Sequence, residues 1–265
     1  MSVLFFDGSY IVDFTPDNIS DFGVCGYKDV GKHVELRRKL DWFREFYPKG
    51  LRISGVFSSD GKYQGMIEFV PGEFAHRPVR ADGYMFVHCL FVGFNREYKG
   101  KGLGSLLLGV CIGEAKSKGM KGVAVVVRRG SFMADSRLFL KHGFVEVDKA
   151  EPDFSLLVLK FDSSFLDPSF FINDVSKDEG YNRGLVIFRS FQCPYCEKNV
   201  SAMVGSARDL FGMDVRVVDM VSLGDVRGCP SAFGSFAIVY NGRVVSYHPV
   251  SNTRFVSIMR GLLGG

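Results

Sequence analysis

The stretch REYKGKGLGSLLLG (residues 96–109) places three glycines on alternate positions directly before an apolar run that predicts a helix. One explanation of Gly100, Gly102 and Gly104 is a flexible turn. The other is a backbone cradle for phosphate, because N–H groups at a helix N-terminus point at an anion and the helix dipole favours its charge. Side chains at these positions would hold the backbone away from phosphates or block positive φ angles. The phosphate motifs G-x-x-x-x-G-K-[ST] and G-x-G-x-x-G do not fit the spacing.

The chain has 265 residues, enough for one large domain or two ordinary ones. Its net charge of +4 gives no sign of the basic stripe typical of nucleic-acid binding, and it suits an anionic small ligand. The N-terminus lacks a basic leader. The longest apolar run, MFVHCLFVGF, is about half of the ~20 residues that a membrane helix needs. We therefore expect a cytoplasmic protein that binds neither nucleic acid nor membranes.

Hydrophobic periodicity divides the chain into two α/β segments. The first segment, residues 1–162, predicts these elements: a helix (34–47), a hairpin (51–70), a buried strand (83–92), a helix (105–119), a strand (122–129), a short helix (136–143) and a strand (156–161). Residues 163–183 are polar and turn-rich, as in a linker. Residues 184–265 begin a second βα pattern, with a hairpin that turns at Asn241-Gly242 and a closing helix.

In this context KGKGLG (99–104) resembles the [QR]-x-x-G-x-[GA] loop of the GNAT family of N-acetyltransferases, with Lys99 at the Gln/Arg position. The order of elements is also similar: the strand MFVHCLFV, this loop, an amphipathic helix, the strand GVAVVVRR, then SRLFLKHGF and the strand LLVLKF. The resemblance covers roughly residues 1–162. It implies an α/β (α+β) fold with a mixed central sheet flanked by helices.

The resemblance also implies the activity, which is transfer of an acetyl group from acetyl-CoA to an amine of a small molecule or a peptide. The strand before the loop would splay from its neighbour, so that its backbone pairs with the pantetheine arm, and the glycine loop would hold the pyrophosphate. The implied cofactor-binding residues are Leu90, Phe91, Val92, Lys99, Gly100, Lys101, Gly102, Leu103, Gly104 and Ser105. A homodimer paired through strand edges is compatible with this fold.

Acetyl transfer to an amine needs a base for the ammonium proton and an acid for the leaving thiolate. Many GNAT members use a tyrosine as the acid, and the corresponding position here is Phe139. Tyr84 or a thiol is the alternative acid. Glu68, a carboxylate within an apolar strand, and His88, in the central strand, are the candidate bases, each weighed against a purely structural role. Cys89, which a regular strand would point away from His88, is either an acylated nucleophile or an inert core residue.

The second segment carries Cys193-Pro-Tyr-Cys196 between a predicted strand and helix, which resembles the active-site corner of thioredoxin-like proteins. A helix N-terminus would lower the pKa of the Cys193 thiol, which would attack, and Cys196 would resolve the mixed disulfide. Thioredoxins place a proline eight residues before the hairpin glycine, and the corresponding position here is Gly234. Cys229 is a candidate third thiol. A zinc site and a structural remnant are the competing interpretations, and two cysteines make a poor zinc cage, so we expect no metal.

A GNAT domain (1–162), a linker (163–183) and a small thioredoxin-like domain (184–265) together resemble the YoaP-like proteins, through PGEFA, DGYMFVHCLFV, GMKGVAVV and FLKHGF. Two functions are therefore carried forward. The first is an acetyl-CoA-dependent N-acetyltransferase with a redox-active or thiol-binding C-terminal domain. The alternative is a thiol–disulfide oxidoreductase that uses Cys193 and Cys196, with the GNAT domain as an acyl-CoA-binding regulatory module. A third hypothesis is a protein that binds its ligand without turnover.

Overall fold

The computed structural model describes residues 3–6, 8–93, 95–130 and 132–264. The chain divides into two compact units. Unit 1 comprises Met1–Ala75 and Arg80–Phe170, and unit 2 comprises His76–Val79 and Phe171–Gly265. The four residues His76–Val79 thus belong to unit 2, although in sequence they interrupt unit 1. No helix in the described part of the chain is both long and apolar enough to cross a membrane.

Unit 1 is built on a mixed β-sheet. In chain order the elements up to residue 170 are β1 (Val3–Phe6), β2 (Ser9–Asp13), α1 (Ile19–Phe22), α2 (Val34–Phe46), β3 (Arg52–Ser58), β4 (Tyr63–Pro71), β5 (Val79–Arg80), β6 (Met85–Val92), α3 (Leu103–Ser117), β7 (Gly122–Arg128), α4 (Ser136–Lys141), β8 (Val145–Ala150), β9 (Phe154–Lys160) and β10 (Ser169–Phe170). The main sheet has the order β1-β2-β3-β4-β6-β7-β9-β8, and β6 and β7 are its parallel neighbours. This confirms the mixed central sheet that the sequence predicts.

Helix α3 covers one face of this sheet. Its buried residues recur at helical spacing and are Leu103, Leu107, Leu108, Cys111 and Ala115. They pack against the strand residues that point to the same face, among them those of β4, β6 and β7. Burying one large apolar side chain of this kind contributes about 1.5–3 kcal/mol. Because side chains alternate along a strand, the residues between them point to the opposite face, where α2 packs.

Unit 2 has a smaller sheet. Its elements are β11 (Leu185–Arg189), α5 (Pro194–Lys198), α6 (Val200–Phe211), β12 (Val215–Asp219), α7 (Leu223–Arg227), β13 (Phe236–Tyr240), β14 (Arg243–Ser246) and α8 (Asn252–Leu263). The sheet order is β12-β11-β13-β14, with β11 parallel to β12 and antiparallel to β13. The hairpin from β13 to β14 turns at Asn241 and Gly242, both with positive φ, as the sequence predicts.

Three local differences from the predicted elements have physical causes. Strand β8 (VEVDKA) lies at an edge of the sheet and has no buried residue, so it lacks the apolar run by which the other strands are recognised. The helix predicted after Cys193 is two helices, and Asn199, a weak helix former, lies at the break. Helix α7 was not predicted, although Ser222 and Asp225 form a capping box at its start.

Candidate active site

Strands β6 and β7 diverge in the middle of the sheet. Their parallel pairing covers Met85–Val87 of β6 and Val123–Val125 of β7. Beyond Val87, the described residues show no further pairing between these strands, although β6 still pairs with β4 as far as Val92. The predicted splay is therefore confirmed. Backbone groups of Leu90–Val92 on the β7 side lie outside the ladder of the sheet.

A β-bulge marks the point of divergence. Glu68 of β4 lies opposite Cys89 of β6, whereas the next residue, Phe69, lies opposite Val87, so His88 is the extra residue. A bulge interrupts the alternation of a strand and redirects its side chains. The Nδ1 atom of His88 lies 3.1 Å from the Oε1 atom of Glu68. The regular alternation from which Cys89 is predicted to point away from His88 is interrupted here, because Cys89 is the register partner of Glu68 and His88 is the extra residue of the bulge.

Glu68 and His88 belong to a buried charged cluster that includes Lys39 of α2. Lys39 forms an ion pair with Glu68, and the side chains of all three residues are almost completely inaccessible to solvent. The Nζ atom of Lys39 also lies 4.2 Å from the ring centroid of Trp42. Each polar partner compensates the desolvation that burial imposes on the others.

The electrostatics of this cluster keep Glu68 ionised. Burial raises the pKa of its carboxyl, but the charge of Lys39 and the interactions with His88 outweigh burial and lower the pKa to about 2. A carboxylate with so low a pKa is a weak base at neutral pH. It is suited to accept a hydrogen bond from His88 and to fix the orientation of that ring.

The structure also shows where the candidate acids lie. Phe139 is fully buried and packs edge-to-face on Phe144, with ring centroids 5.3 Å apart. Tyr84 precedes β6, and its hydroxyl donates a hydrogen bond to the carbonyl of Leu166 at 2.8 Å. Burial raises the pKa of Tyr84. Four residues of extended chain, about 13 Å, separate it from His88, so Tyr84 lies far from the bulge.

The glycines of the 96–109 stretch have two different roles. Gly100 and Gly102 have φ angles of +78° and +74°, and no described atom lies within 4 Å of a Cβ built at either position. Gly104 instead lies inside α3, where an added Cβ would be 3.3 Å from the side chain of Leu138. The first two allow a left-handed loop with open space beside it, whereas the third allows close packing of the helix.

The remaining loop residues divide between the surface and the core. Lys99 and Lys101 are exposed. Leu103 is buried beneath the first turn of α3, and the hydroxyl of Ser105 lies 2.9 Å from Nε2 of His142. The first N–H groups of a helix have no partner within it, and α3 is 15 residues long. An exposed left-handed loop, two lysines and these N–H groups fit the pyrophosphate of coenzyme A.

In unit 2 the two cysteines of CPYC differ in environment. Cys193 is half-buried at the N-cap of α5, whereas Cys196 is buried, with its Sγ atom 3.3 Å from the hydroxyl of Ser235. Burial raises the pKa of Cys196 well above its ordinary value, and Cys193 raises it further, while Ser235 and Arg77 lower it. Burial raises the pKa of Cys229 to about 12, so this third thiol stays protonated.

The described residues contain no group of three or more histidine, cysteine, aspartate or glutamate side chains that could hold a metal ion. Sequence reasoning did not identify Lys39 or Arg77 as site residues. Lys39 could have been found, because it falls on the buried face of α2 between Leu36 and Phe43 and therefore needs a buried partner. Arg77 could not, because no local pattern assigns its segment to unit 2.

Comparison with known proteins identifies two families along the chain. Residues 19–144 match the Acetyltransferase (GNAT) family, and residues 215–256 match the YoaP-like family. The uncharacterized N-acetyltransferase YoaP of Bacillus subtilis (strain 168) is 25% identical over 257 residues, which cover 95% of this chain and 98% of that protein.

Solved structures resemble this chain more distantly. The Salmonella typhimurium protein yncA, solved with its cofactor acetyl-CoA, is 16% identical and covers 60% of this chain and 98% of its own, with a TM-score of 0.42. The ribosomal-protein-S5-alanine acetyltransferase of Vibrio fischeri is 12% identical and covers 63% of this chain and 100% of its own, with a TM-score of 0.43. The chain thus carries a GNAT acetyltransferase domain, followed by a YoaP-like domain, and is similar over nearly its whole length to the N-acetyltransferase of Bacillus subtilis.

Proposed function

We propose that unit 1 transfers the acetyl group of acetyl-CoA to an amine, and that His88 accepts the proton that the amine loses. The observation that carries this proposal is the bulge at His88, which lies where β6 leaves β7 and is held by Glu68. Bulges redirect side chains next to active sites. The acceptor is an amine of a small molecule or a peptide.

The cofactor would be held by backbone along two adjoining segments. The loop from Lys99 to Gly102 and the first N–H groups of α3, from Leu103 to Ser105, would bind the pyrophosphate. The backbone of Leu90–Val92, outside the sheet ladder on the β7 side, would pair with the pantetheine arm. When bound, acetyl-CoA supplies an activated acetyl thioester. The chain contributes orientation and proton transfer.

The contact between Glu68 and His88 gives the two residues different roles in proton transfer. If Nδ1 of His88 carries the proton and donates it to the Glu68 carboxylate, the lone pair of the neutral ring is on Nε2. Once His88 takes a second proton, the ionised Glu68 stabilises the imidazolium. Lys39 balances the charge of Glu68, so the cluster does not accumulate negative charge in the core. Glu68 is then a positioning residue and His88 the base.

The test is a steady-state assay of CoA release with a panel of amines: polyamines, aminoglycosides and short peptides. His88→Gln should lower kcat about 10²- to 10⁴-fold, the usual contribution of a general base, without changing the Kd for acetyl-CoA. His33→Gln, at the partly exposed N-cap of α2, is the matched control and should keep full activity. Unchanged kcat in His88→Gln would remove the base from this proposal.

For unit 2 we propose a thioredoxin-like fold and thiol–disulfide exchange through Cys193 and Cys196. The order β12-β11-β13-β14 supports this, with CPYC directly after β11, as does the half-buried Cys193 beside a buried Cys196. Cys193→Ser separates the two functions of the chain. It should abolish reduction of a small disulfide and leave acetyl transfer intact. Disulfide reduction by a wild-type protein that acetylates no amine of the panel would instead favour the oxidoreductase with a regulatory acyl-CoA-binding domain.

A further inference from the structure

The segment His76–Val79 lies deep in unit 2. His76 is 0% exposed and Arg77 is 4% exposed. The backbone and side chain of Arg77 lie against Gly234, where an added Cβ would be 2.8 Å from the Cα atom of Arg77 and 2.6 Å from its Cδ atom. Only a glycine allows this approach, and Gly234 also has a φ of +74°. The chain therefore brings an arginine into the turn that precedes β13.

The guanidinium of Arg77 connects this turn to the CPYC motif. It donates hydrogen bonds to the carbonyl of His76 at 2.7 Å and to Oε1 of Gln192 at 3.2 Å. Gln192 is itself buried, and it immediately precedes Cys193. The guanidinium carbon also lies 5.7 Å from the ring centroid of Phe233. A buried cation is thus fixed beside the cysteine pair by contacts on both sides.

The buried position of Cys196 makes its ionisation difficult, because burial disfavours the thiolate. Exchange nevertheless requires a Cys196 thiolate, since the thiolate is the nucleophile. Two groups counteract burial: the hydroxyl of Ser235, 3.3 Å from Sγ, and the positive charge of Arg77. The other ionisable groups of this region are His76, Cys193, Glu197, Cys229 and Arg189, which contacts Glu197.

We propose that Arg77 is a positioning residue for thiol–disulfide exchange, whose charge allows Cys196 to resolve the mixed disulfide formed at Cys193. The inference rests on the exchange function proposed for unit 2. In the first step the Cys193 thiolate attacks a disulfide substrate, a Cys193–substrate disulfide forms, and one thiolate leaves. In the second step Cys196 loses its proton to solvent and attacks Cys193. The Cys193–Cys196 disulfide forms and the second substrate thiolate leaves, so one disulfide is reduced and two protein thiols are oxidised.

Both steps can be followed in the full-length protein with 5,5′-dithiobis(2-nitrobenzoate) as the disulfide. Samples are quenched with acid and digested with trypsin, which releases residues 190–198 (SFQCPYCEK), a peptide with Cys193 and Cys196 as its only cysteines. Mass spectrometry then distinguishes the reduced peptide, the mixed disulfide and the internal disulfide. The formation and resolution of the mixed disulfide are thereby measured separately.

Arg77→Gln should leave the first step within about twofold and slow the second. Removing a nearby opposite charge should raise the pKa of the Cys196 thiol by about 1–3, so less of it is thiolate. A thiolate of higher pKa is also a better nucleophile, which offsets nearly half of this loss. Resolution should therefore slow roughly 3- to 50-fold. Its pH profile should move to higher pH, which a purely structural role would not cause. Arg243→Gln, which removes an exposed arginine of unit 2, is the matched control and should resolve at the wild-type rate.

A second variant keeps the packing of Arg77. Gln192→Glu places a carboxylate on the guanidinium and offsets its charge, so it should also slow resolution, even if Arg77→Gln does not fold. Wild-type resolution rates and pH profiles in both variants would overturn the role of Arg77. If the wild-type protein forms no internal disulfide at all, the exchange function itself is refuted. This result differs from equal rates of resolution in the wild type and both variants, which would refute only the role of Arg77.

Discussion

Lys39→Met should destabilise unit 1 far more than a surface lysine would, because it leaves the carboxylate of Glu68 buried without its counter-ion. The wild-type cluster lowers the pKa of Glu68 from an ordinary 4.5 to about 2. This difference corresponds to about 3 kcal/mol of stability. Removing one partner of a buried ion pair typically costs about 3–5 kcal/mol, and we expect a loss in this range at pH 7.

The single tryptophan of the chain makes the measurement specific. Trp42 lies on α2 within unit 1, next to Lys39, so its fluorescence in urea reports the unfolding of unit 1 rather than of unit 2. With a slope of about 2 kcal/mol per molar urea, the midpoint should fall by about 2 M. Lys149→Met, which removes an exposed ion pair with Glu146, should change stability by less than about 1 kcal/mol.

The pH dependence has a definite sign. A lowered Glu68 pKa stabilises the wild-type protein above pH ~4.5, and this contribution is lost as the pH falls through about 2. In Lys39→Met, burial without the counter-ion raises the pKa of Glu68, so protonation relieves the buried charge. The gap between variant and wild type should therefore narrow between pH 7 and pH 4.

A double-mutant cycle provides the decisive comparison. Lys39→Met with Glu68→Gln removes both charges and should recover most of the stability, because the amide can still bond to His88. If the double variant costs the sum of the two single changes, Lys39 and Glu68 do not interact as the structure shows, and the account of the cluster is refuted.

Three further predictions concern the cofactor loop and the missing tyrosine. Gly102→Glu should weaken acetyl-CoA binding in calorimetric titration by at least about tenfold, because it places a side chain and a negative charge in the left-handed loop. The control Gly109→Glu lies on the exposed side of the helix that follows the loop and should bind acetyl-CoA normally. Gly104→Ala should retain binding and change stability by less than about 1 kcal/mol, since the N–H group is kept and helix propensity offsets the contact with Leu138. Lost binding would show that the Cα atom of Gly104, and not only its N–H group, approaches the cofactor. Phe139→Tyr should lower the free energy of unfolding by about 1–3 kcal/mol, because it buries a hydroxyl in the core. It should not raise kcat. A higher kcat would show that this position reaches the reacting groups.

Much of the fold was predictable because it rests on local patterns. The apolar runs of β6, β7 and β11 and the helical spacing of α2 and α3 are each visible within a short window of sequence. The splay of β6 from β7 was implied by family resemblance rather than by any such window. Strand β8, without a buried residue, has no comparable local signal.

The candidate site was predictable in its parts and not in its assembly. Glu68 and His88 could each be singled out as polar residues within apolar strands, but as separate alternatives. Their contact depends on the pairing register of β4 and β6, and the bulge that shifts this register has no glycine or proline to signal it. Lys39 is 29 residues from Glu68, so the ion pair that keeps the carboxylate ionised depends on long-range packing.

This arrangement changes what each residue can contribute to the reaction. As an isolated strand carboxylate, Glu68 would be the natural base, and His88 a second choice. Once Lys39 holds the pKa of Glu68 at about 2, the carboxylate is too weak a base for an ammonium proton, but it is an effective acceptor for the Nδ1 proton of His88. Under the proposed function, the ion pair that stabilises unit 1 therefore leaves proton transfer to His88. Glu68→Gln separates the two roles, because it keeps a hydrogen-bond acceptor for the ring and removes the charge that stabilises the imidazolium. Its kcat should fall less than that of His88→Gln, and an equal or larger loss would return the role of base to Glu68.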